Sequence, residues 1–292
     1  MWLGAVVLLL AFFAAPKIAA TCTQSPICGL GDGALTQAGL RPAVDELATD
    51  LVPDVHRALE QLYNTTARLD ASTLRISDTE IAKLWFAQSF QDASGEYFVV
   101  FGQIQGFEGD LDYLRCHACT ASIGQITYKK LENKDWKIIS LHKNIGKTGS
   151  WGAAPDIDHA DIHHISKAST WLLSDRSYTG NGETSDFMEI ISFKNHQWHF
   201  LGEIMTSEDN YGSCSDNPEE RDDAGYHPCR ELKAISIAYI QGDAIEYPEI
   251  FVAYNKKTDH QNDMNTIAAS VRYLFDGANY KPVTDILNLF PK

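Results

Sequence analysis

The chain has 292 residues, and its 24 basic against 39 acidic side chains give a formal net charge of −15. A chain of this length can bury a core without help from disulfides, and its negative field repels phosphate backbones and anionic lipid headgroups. We therefore expect neither nucleic-acid binding nor peripheral membrane attachment. The charge favours cationic partners, such as metal ions or a basic protein.

Residues 1–20 have the pattern of a signal peptide. An apolar run over 5–16 is too short for a comfortable membrane span, and the segment that follows it ends in the small residues Ala19 and Ala20. We expect cleavage after Ala20, leaving a secreted or periplasmic chain with no membrane span. Two alternatives keep the protein on a membrane: an uncleaved signal, or a lipid on Cys22.

Residues 21–76 are interpreted as an N-terminal arm followed by an amphipathic helix. The arm is rich in Gly, Ser and Thr, and from 44 to 63 apolar residues recur at steps of three and four, which is typical of one helical stripe. Pro53 lies inside this stripe. It predicts a break in the helix near Val52.

Six cysteines form three close pairs along the predicted mature chain. They are Cys22, Cys28, Cys116, Cys119, Cys214 and Cys229. Proximity favours disulfides within each pair in an oxidising compartment, although other pairings remain open. The segment 116–119, Cys-His-Ala-Cys, also permits a redox pair or a metal site with His117, but it lacks the βαβ context of thioredoxin-like dithiols.

The remainder of the chain, 77–292, is dominated by strand and turn signals. Apolar or alternating runs separated by turn residues predict β-hairpins over 81–104, 123–141, 188–205, 234–254 and 271–280. In two of them a tryptophan, Trp136 or Trp198, opens the return strand, which predicts equivalent buried positions. The sequence thus indicates a mainly β (α+β) fold, an antiparallel meander of hairpins with an N-terminal helical segment. A small β-propeller is the alternative.

A cluster of imidazoles and carboxylates follows the central hairpins. If residues 160–165 form a strand, Asp161 and His163 share one face, and His159 and His117 could complete a zinc or copper site. One strand face supplies too few ligands by itself. A solvated strand edge is the alternative.

An acidic segment lies between Cys214 and Cys229. It contains Glu219, Glu220, Asp222 and Asp223, whose burial would carry a heavy desolvation cost. We expect a disulfide to close this segment into a surface loop. The loop could bind a basic partner or calcium, and a solvated loop without a ligand is the alternative.

Four segments together give the chain a resemblance to known proteins. They are Cys-His-Ala-Cys followed by Ile123-Gly124, the run 149–155, the run 209–214, and Arg-Tyr-Leu-Phe-Asp-Gly at 272–277. In these segments the chain resembles a group of uncharacterised bacterial secreted proteins with no known activity. The resemblance covers roughly residues 97–282. It implies export and a single β-rich domain, and nothing about catalysis.

The Gly-x-Ser-x-Gly motif of nucleophilic hydrolases and the His-Glu-x-x-His motif of zinc peptidases are absent from the sequence. The sequence therefore favours a non-catalytic binding or interaction module over an enzyme, with a basic protein or a cell-envelope component as partner. A cell-envelope hydrolase and a metal-handling protein are the alternatives.

Overall fold

The computed structural model describes residues 52–108, 112–113, 118–166, 169–215, 227–240, 247–258 and 269–283. The predicted signal peptide, the arm over 21–40 and the helical stripe upstream of 52 lie outside these residues. So do Cys22, Cys28, Cys116, His117 and the four acidic residues at 219–223. The side chain of His159 is likewise outside the description.

The helix α1 (Val55–Tyr63) begins two residues after Pro53, which predicts a break near Val52. Asp54 caps it by accepting a hydrogen bond from the backbone N–H of Arg57 at 2.8 Å. It ends at Asn64, whose left-handed backbone (φ 55°) closes the last turn. Ala58, Leu59, Leu62 and Tyr63 face inward and are buried.

The first sheet is an antiparallel meander in the order β1-β2-β3-β5-β6, with the short β4 paired to one end of β3. Its strands are β1 (Thr73–Arg75), β2 (Glu80–Asp92), β3 (Gly95–Glu108), β4 (Asp112–Tyr113), β5 (Ala121–Lys130) and β6 (Trp136–Thr148). Strand β1 begins upstream of residue 77, where the sequence places the start of the β-rich region.

The second sheet contains eight antiparallel strands in sequence order, from β7 at one edge to β14 at the other. The strands are β7 (Ala160–Ser166), β8 (Ser169–Gly180), β9 (Glu183–Lys194), β10 (Gln197–Asp209), β11 (Arg230–Tyr239), β12 (Ile250–Thr258), β13 (Ala269–Phe275) and β14 (Tyr280–Pro282).

The predicted antiparallel meander is confirmed, since each predicted hairpin corresponds to a pair of neighbouring strands. Two meandering sheets do not resemble the four-stranded blades of a propeller, so the propeller alternative is wrong. No strand is predicted from the sequence at the position of β8. Its hairpin with β9 turns through Asn181 and Gly182, both with positive φ.

The buried apolar side chains of the described residues form three clusters. Helix α1 packs on one face of the first sheet over Phe98, Val100 and Ile126. The opposite face of that sheet packs against the second sheet, and Trp198 lies in this inter-sheet core. The third cluster is confined to the second sheet, which curves enough for Trp171 of β8 to contact Tyr280 of β14, with ring centroids 5.6 Å apart.

Candidate functional site

The predicted disulfide between Cys214 and Cys229 is present. It joins the segment after β10 to the residue preceding β11, so it closes the acidic segment as expected. Cys119 is also disulfide-bonded and is therefore no metal ligand or free thiol here. The proposed partner-binding carboxylates of the closed loop lie outside the described residues.

Two of the predicted metal ligands are described, and they lie side by side on β7. His163 Nε2 is 3.9 Å from Asp161 Oδ2, and Asp161 Oδ1 accepts a hydrogen bond from Gln88 Nε2 at 3.3 Å. Among the described residues, no group of three or more His, Cys, Asp or Glu side chains is close enough to hold a metal. The other two predicted ligands, His117 and the side chain of His159, lie outside the described residues.

A different group of residues forms a cleft of about 560 Å³ where the two sheets meet, which we name the seam cleft. Strand β6 forms one wall, the start of β10 forms another, and Tyr247 and the β13–β14 turn close the rim. The polar lining residues are His142, Asn144, Lys194, Asn195, Gln197 and His199. The apolar ones include Trp198, Phe200, Tyr247 and Phe275.

A stacked aromatic pair dominates the rim of the seam cleft. The rings of Tyr247 and Phe275 are 4.0 Å apart at their centroids and inclined by only 16°. Lys194 places its Nζ atom 5.0 Å from the centroid of Tyr247, which is a cation–π distance. Both rings are half-buried. Phe275 thus stacks on one face of the Tyr247 ring and the Lys194 ammonium lies over the same ring, so the pair combines aromatic surface with a positive charge.

The imidazoles of the seam cleft lie near each other and near this lysine. Partial burial, together with the neighbouring His142 and Lys194, lowers the pKa of His199. At neutral pH the His199 ring is consequently uncharged, with one nitrogen donating and the other accepting. With the amides of Asn144, Asn195 and Gln197, the cleft offers both donors and acceptors.

Two tight turns hold the seam cleft in shape. Asn195 and His196 form the β9–β10 turn with φ of 49° and 64°, the left-handed pair required by a two-residue hairpin. In the β13–β14 turn, Asp276 Oδ1 accepts hydrogen bonds from the backbone N–H groups of Ala278 and Asn279 at 2.9 and 2.8 Å. These bonds lower the pKa of the Asp276 carboxyl.

A buried carboxylate, Glu189, lies elsewhere at the contact between the sheets. Its Oε2 accepts hydrogen bonds from Thr148 Oγ1 of β6 and, at 3.2 Å, from Ser174 Oγ of β8. Arg176 Nη1 is 3.8 Å from Glu189 Oε1 and 2.6 Å from Glu203 Oε2. Burial raises the pKa of Glu189 to about 7, although the bond from Thr148 and the charge of Arg176 oppose this.

This pair of glutamates is the closest approach to hydrolase chemistry in the described residues. Glu189 and Glu203 are directly opposed across β9 and β10, and one of them has a pKa suited to a general acid. Glu189, however, is 0% exposed and does not line the seam cleft. A substrate could not reach it, so the cluster is better explained as a polar link between the sheets.

Neither the seam cleft nor the Glu189 cluster is predicted from the sequence. The cleft combines four segments that are far apart in the chain, and no local pattern predicts which of them meet. One signal was available for Glu189: it interrupts an apolar strand run, Met188 to Phe193, at a position where a charge is costly.

No helix among the described residues has the length and apolarity needed to cross a membrane. The observed disulfide is of the kind that persists in oxidising compartments. Comparison of the chain with protein-family models, with curated proteins and with solved structures finds no match.

Proposed function

We propose that this protein is a secreted, non-catalytic binding module that takes saccharide rings of the cell envelope into the seam cleft. The observation that carries the proposal is the stacked pair of Tyr247 and Phe275 at the rim of a polar cleft. Flat aromatic faces pack against the C–H faces of sugar rings, while side-chain amides and imidazoles bind their hydroxyl groups.

The size and lining of the seam cleft support a small ligand over a protein partner. A volume of about 560 Å³ lies within the range of small-molecule sites, and an aromatic wall with a few polar groups is their usual composition. The inaccessible Glu189 argues against turnover at the neighbouring carboxylate cluster. Binding without catalysis is therefore the simplest activity for this arrangement.

Calorimetry of the mature chain against a panel of trisaccharides tests the proposal. The panel contains trimers of glucose, galactose, N-acetylglucosamine and galacturonate. We expect at least one to bind, and Tyr247→Ala to weaken its binding roughly tenfold through loss of the stacking surface. Tyr211→Ala is the matched control, because Tyr211 is 49% exposed and does not line the seam cleft.

Two results would contradict the proposal. One is the absence of heat of binding for every trisaccharide at millimolar concentration. The other is an equal loss of affinity in the Tyr247→Ala and Tyr211→Ala variants, which would place the ligand outside the seam cleft. Retention of ligand by the control and loss by Tyr247→Ala is the supporting outcome.

A further inference from the structure

A series of three hydrogen bonds runs behind the seam cleft from one of its walls to the other. Trp198 Nε1 of β10 donates to Thr127 Oγ1 at 3.2 Å, and Thr127 Oγ1 donates to Gln125 Oε1 at 2.7 Å. Gln125 Nε2 donates in turn to Ser140 Oγ of β6 at 2.6 Å. We name these four side chains the buried relay. Trp198 lines the seam cleft, and the other three lie behind its lining.

The indole at one end fixes the direction of the bonds in the buried relay. An indole N–H can only donate, so the Thr127 hydroxyl accepts from Trp198 and uses its one proton on Gln125. The Gln125 amide is thereby oriented with its oxygen toward Thr127 and its nitrogen toward Ser140. Thr127 and Gln125 are both 0% exposed, so no solvent reaches them to replace a lost bond. The buried relay therefore has one arrangement in which all three bonds form.

Each end of the buried relay is attached to a different wall of the seam cleft. Trp198 belongs to five consecutive residues of β10, 197–201, that line the cleft. Ser140 lies two residues before His142, which lines the wall formed by β6. On β5, the two middle residues of the relay pair directly with Ser140 and His142. Strand β5 thus connects the β6 wall to the β10 wall through side chains as well as through the sheet.

Apolar packing alone does not fix the orientation of the Trp198 indole. Its ring centroid lies 5.4 Å from that of Phe90, 5.2 Å from that of Phe101 and 5.1 Å from that of Phe193. Apolar burial is non-directional, so these contacts retain the ring between the sheets without selecting one tilt. The bond from Nε1 to Thr127 is directional, and it selects the tilt.

We propose that Thr127 and Gln125 are positioning residues for the ligand of the seam cleft, and that they hold the β6 and β10 walls at the separation that the ligand requires. The inference rests on the proposed function and adds residues that do not touch the ligand. A sugar ring placed against Tyr247 reaches polar groups of both walls only while these stay at fixed distances. Binding groups keep such distances when hydrogen bonds behind them fix their positions.

Thr127→Val tests the proposal, because valine keeps the branched shape and lacks the hydroxyl. The variant leaves Trp198 Nε1 without an acceptor and Gln125 Oε1 without a donor. Calorimetry against the four trisaccharides named above should show roughly fivefold weaker binding than wild type. Without ligand, the backbone amides of 142–145 and 197–201 should exchange hydrogen faster than in wild type. Thr127→Ser retains the hydroxyl and should restore both properties.

Ile126→Val is the matched control. Ile126 lies between the two positioning residues, is 0% exposed, and packs in the cluster beneath α1 on the opposite face of the sheet. Loss of one methylene there lowers stability without touching the buried relay. Affinity and exchange at the cleft walls should stay at the wild-type level. Urea denaturation of each variant measures stability separately from these two readouts.

Three results overturn the inference: wild-type affinity in Thr127→Val, an equal loss of affinity in Ile126→Val, or failure of Thr127→Ser to restore binding. In each of them the proposed function survives, because the wild-type chain still binds a trisaccharide. If the wild-type chain binds none of the four trisaccharides, the proposed function fails and the ligand role of the buried relay fails with it.

Discussion

At the scale of single residues, Glu189 is an ionisable side chain in a completely buried position. It joins the two sheets by accepting a hydrogen bond from the hydroxyl of Thr148. A buried carboxylate is tolerated when it is protonated or paired, and here the nearest cation, Arg176, is shared with Glu203. Burial consequently dominates, and Glu189 takes up a proton at a higher pH in the folded protein than in the unfolded chain, although the bond from Thr148 favours the ionised form.

The stability of the protein should therefore fall as the pH rises through the neutral range. Burial raises the pKa of Glu189 from 4.5 to about 7 in the folded state. The stabilisation by protonation is fully present below pH 4.5 and is lost as the pH rises through about 7. A shift of this size corresponds to roughly 3 kcal/mol.

Urea unfolding of wild type and Glu189→Gln, between about pH 5 and about pH 8, measures this effect. Glutamine keeps an acceptor for Thr148 and Ser174 and does not ionise, so the variant should lose stability less steeply over this range. Parallel slopes for the two proteins would show that other groups cause the pH dependence.

At the scale of elements, the hairpins could be predicted because their determinants are local. Turn residues such as Asp92 and Gly95, and the alternation of side chains beside them, specify each pair of strands without reference to the rest of the chain. The start of α1 at Val55, after Pro53 and the Asp54 cap, is local for the same reason. The seam cleft required contacts between β6, β10 and the β13–β14 turn, which no window of sequence contains.

The two tryptophans show that a hairpin can be predicted while the face on which its side chains lie is not. Trp136 is the first residue of β6 and follows a longer turn, whereas Trp198 is the second residue of β10 after a two-residue turn. A shift of one residue moves a side chain to the other face of a strand. Trp198 accordingly lies between the sheets, while Trp136 packs partly buried on the helix side. Their predicted equivalence is wrong.

The contact of α1 with the first sheet gives a prediction about packing. A Cβ atom at Gly102 of β3 would lie 2.7 Å from the Tyr63 ring and 2.9 Å from Leu59 Cδ2. Gly102→Ala should displace the helix and destabilise the protein by about 1–3 kcal/mol, as overpacking does. Urea denaturation measures the loss, and Ser89→Ala, at an exposed position of the neighbouring strand, serves as the control. Equal stability of both variants would indicate that the helix is not docked at this glycine.

At the scale of the whole molecule, the two sheets are joined by apolar packing with a few polar contacts. Trp198 is central to it, with ring centroids 5.4 Å from Phe90, 5.1 Å from Phe193 and 5.2 Å from Phe101. Its Nε1 also donates a hydrogen bond to Thr127 Oγ1 of the first sheet at 3.2 Å. The Trp198 side chain of the second sheet is thus packed against residues of the first sheet.

Replacing each of the two tryptophans by alanine should show that Trp198 and Trp136 are buried to different extents. We expect Trp198→Ala to lower the free energy of unfolding by about 3–5 kcal/mol, because it opens a cavity between the sheets. Trp136→Ala should cost about 1–2 kcal/mol, in proportion to its partial burial. Chemical denaturation of both variants measures the difference. Losses of similar size would contradict the placement of Trp198 in the inter-sheet core.

Each sheet is assembled from one uninterrupted stretch of chain, and the polypeptide crosses between them only once in the described residues, over 149–159. During synthesis the first sheet is complete before most of the second exists. Its inner face, with Trp85, Phe86 and Phe101, can pack against the second sheet only after that sheet has been translated. A nascent chain paused at this stage presents a broad apolar surface, which is the feature that holdase chaperones bind and that drives aggregation when they are scarce.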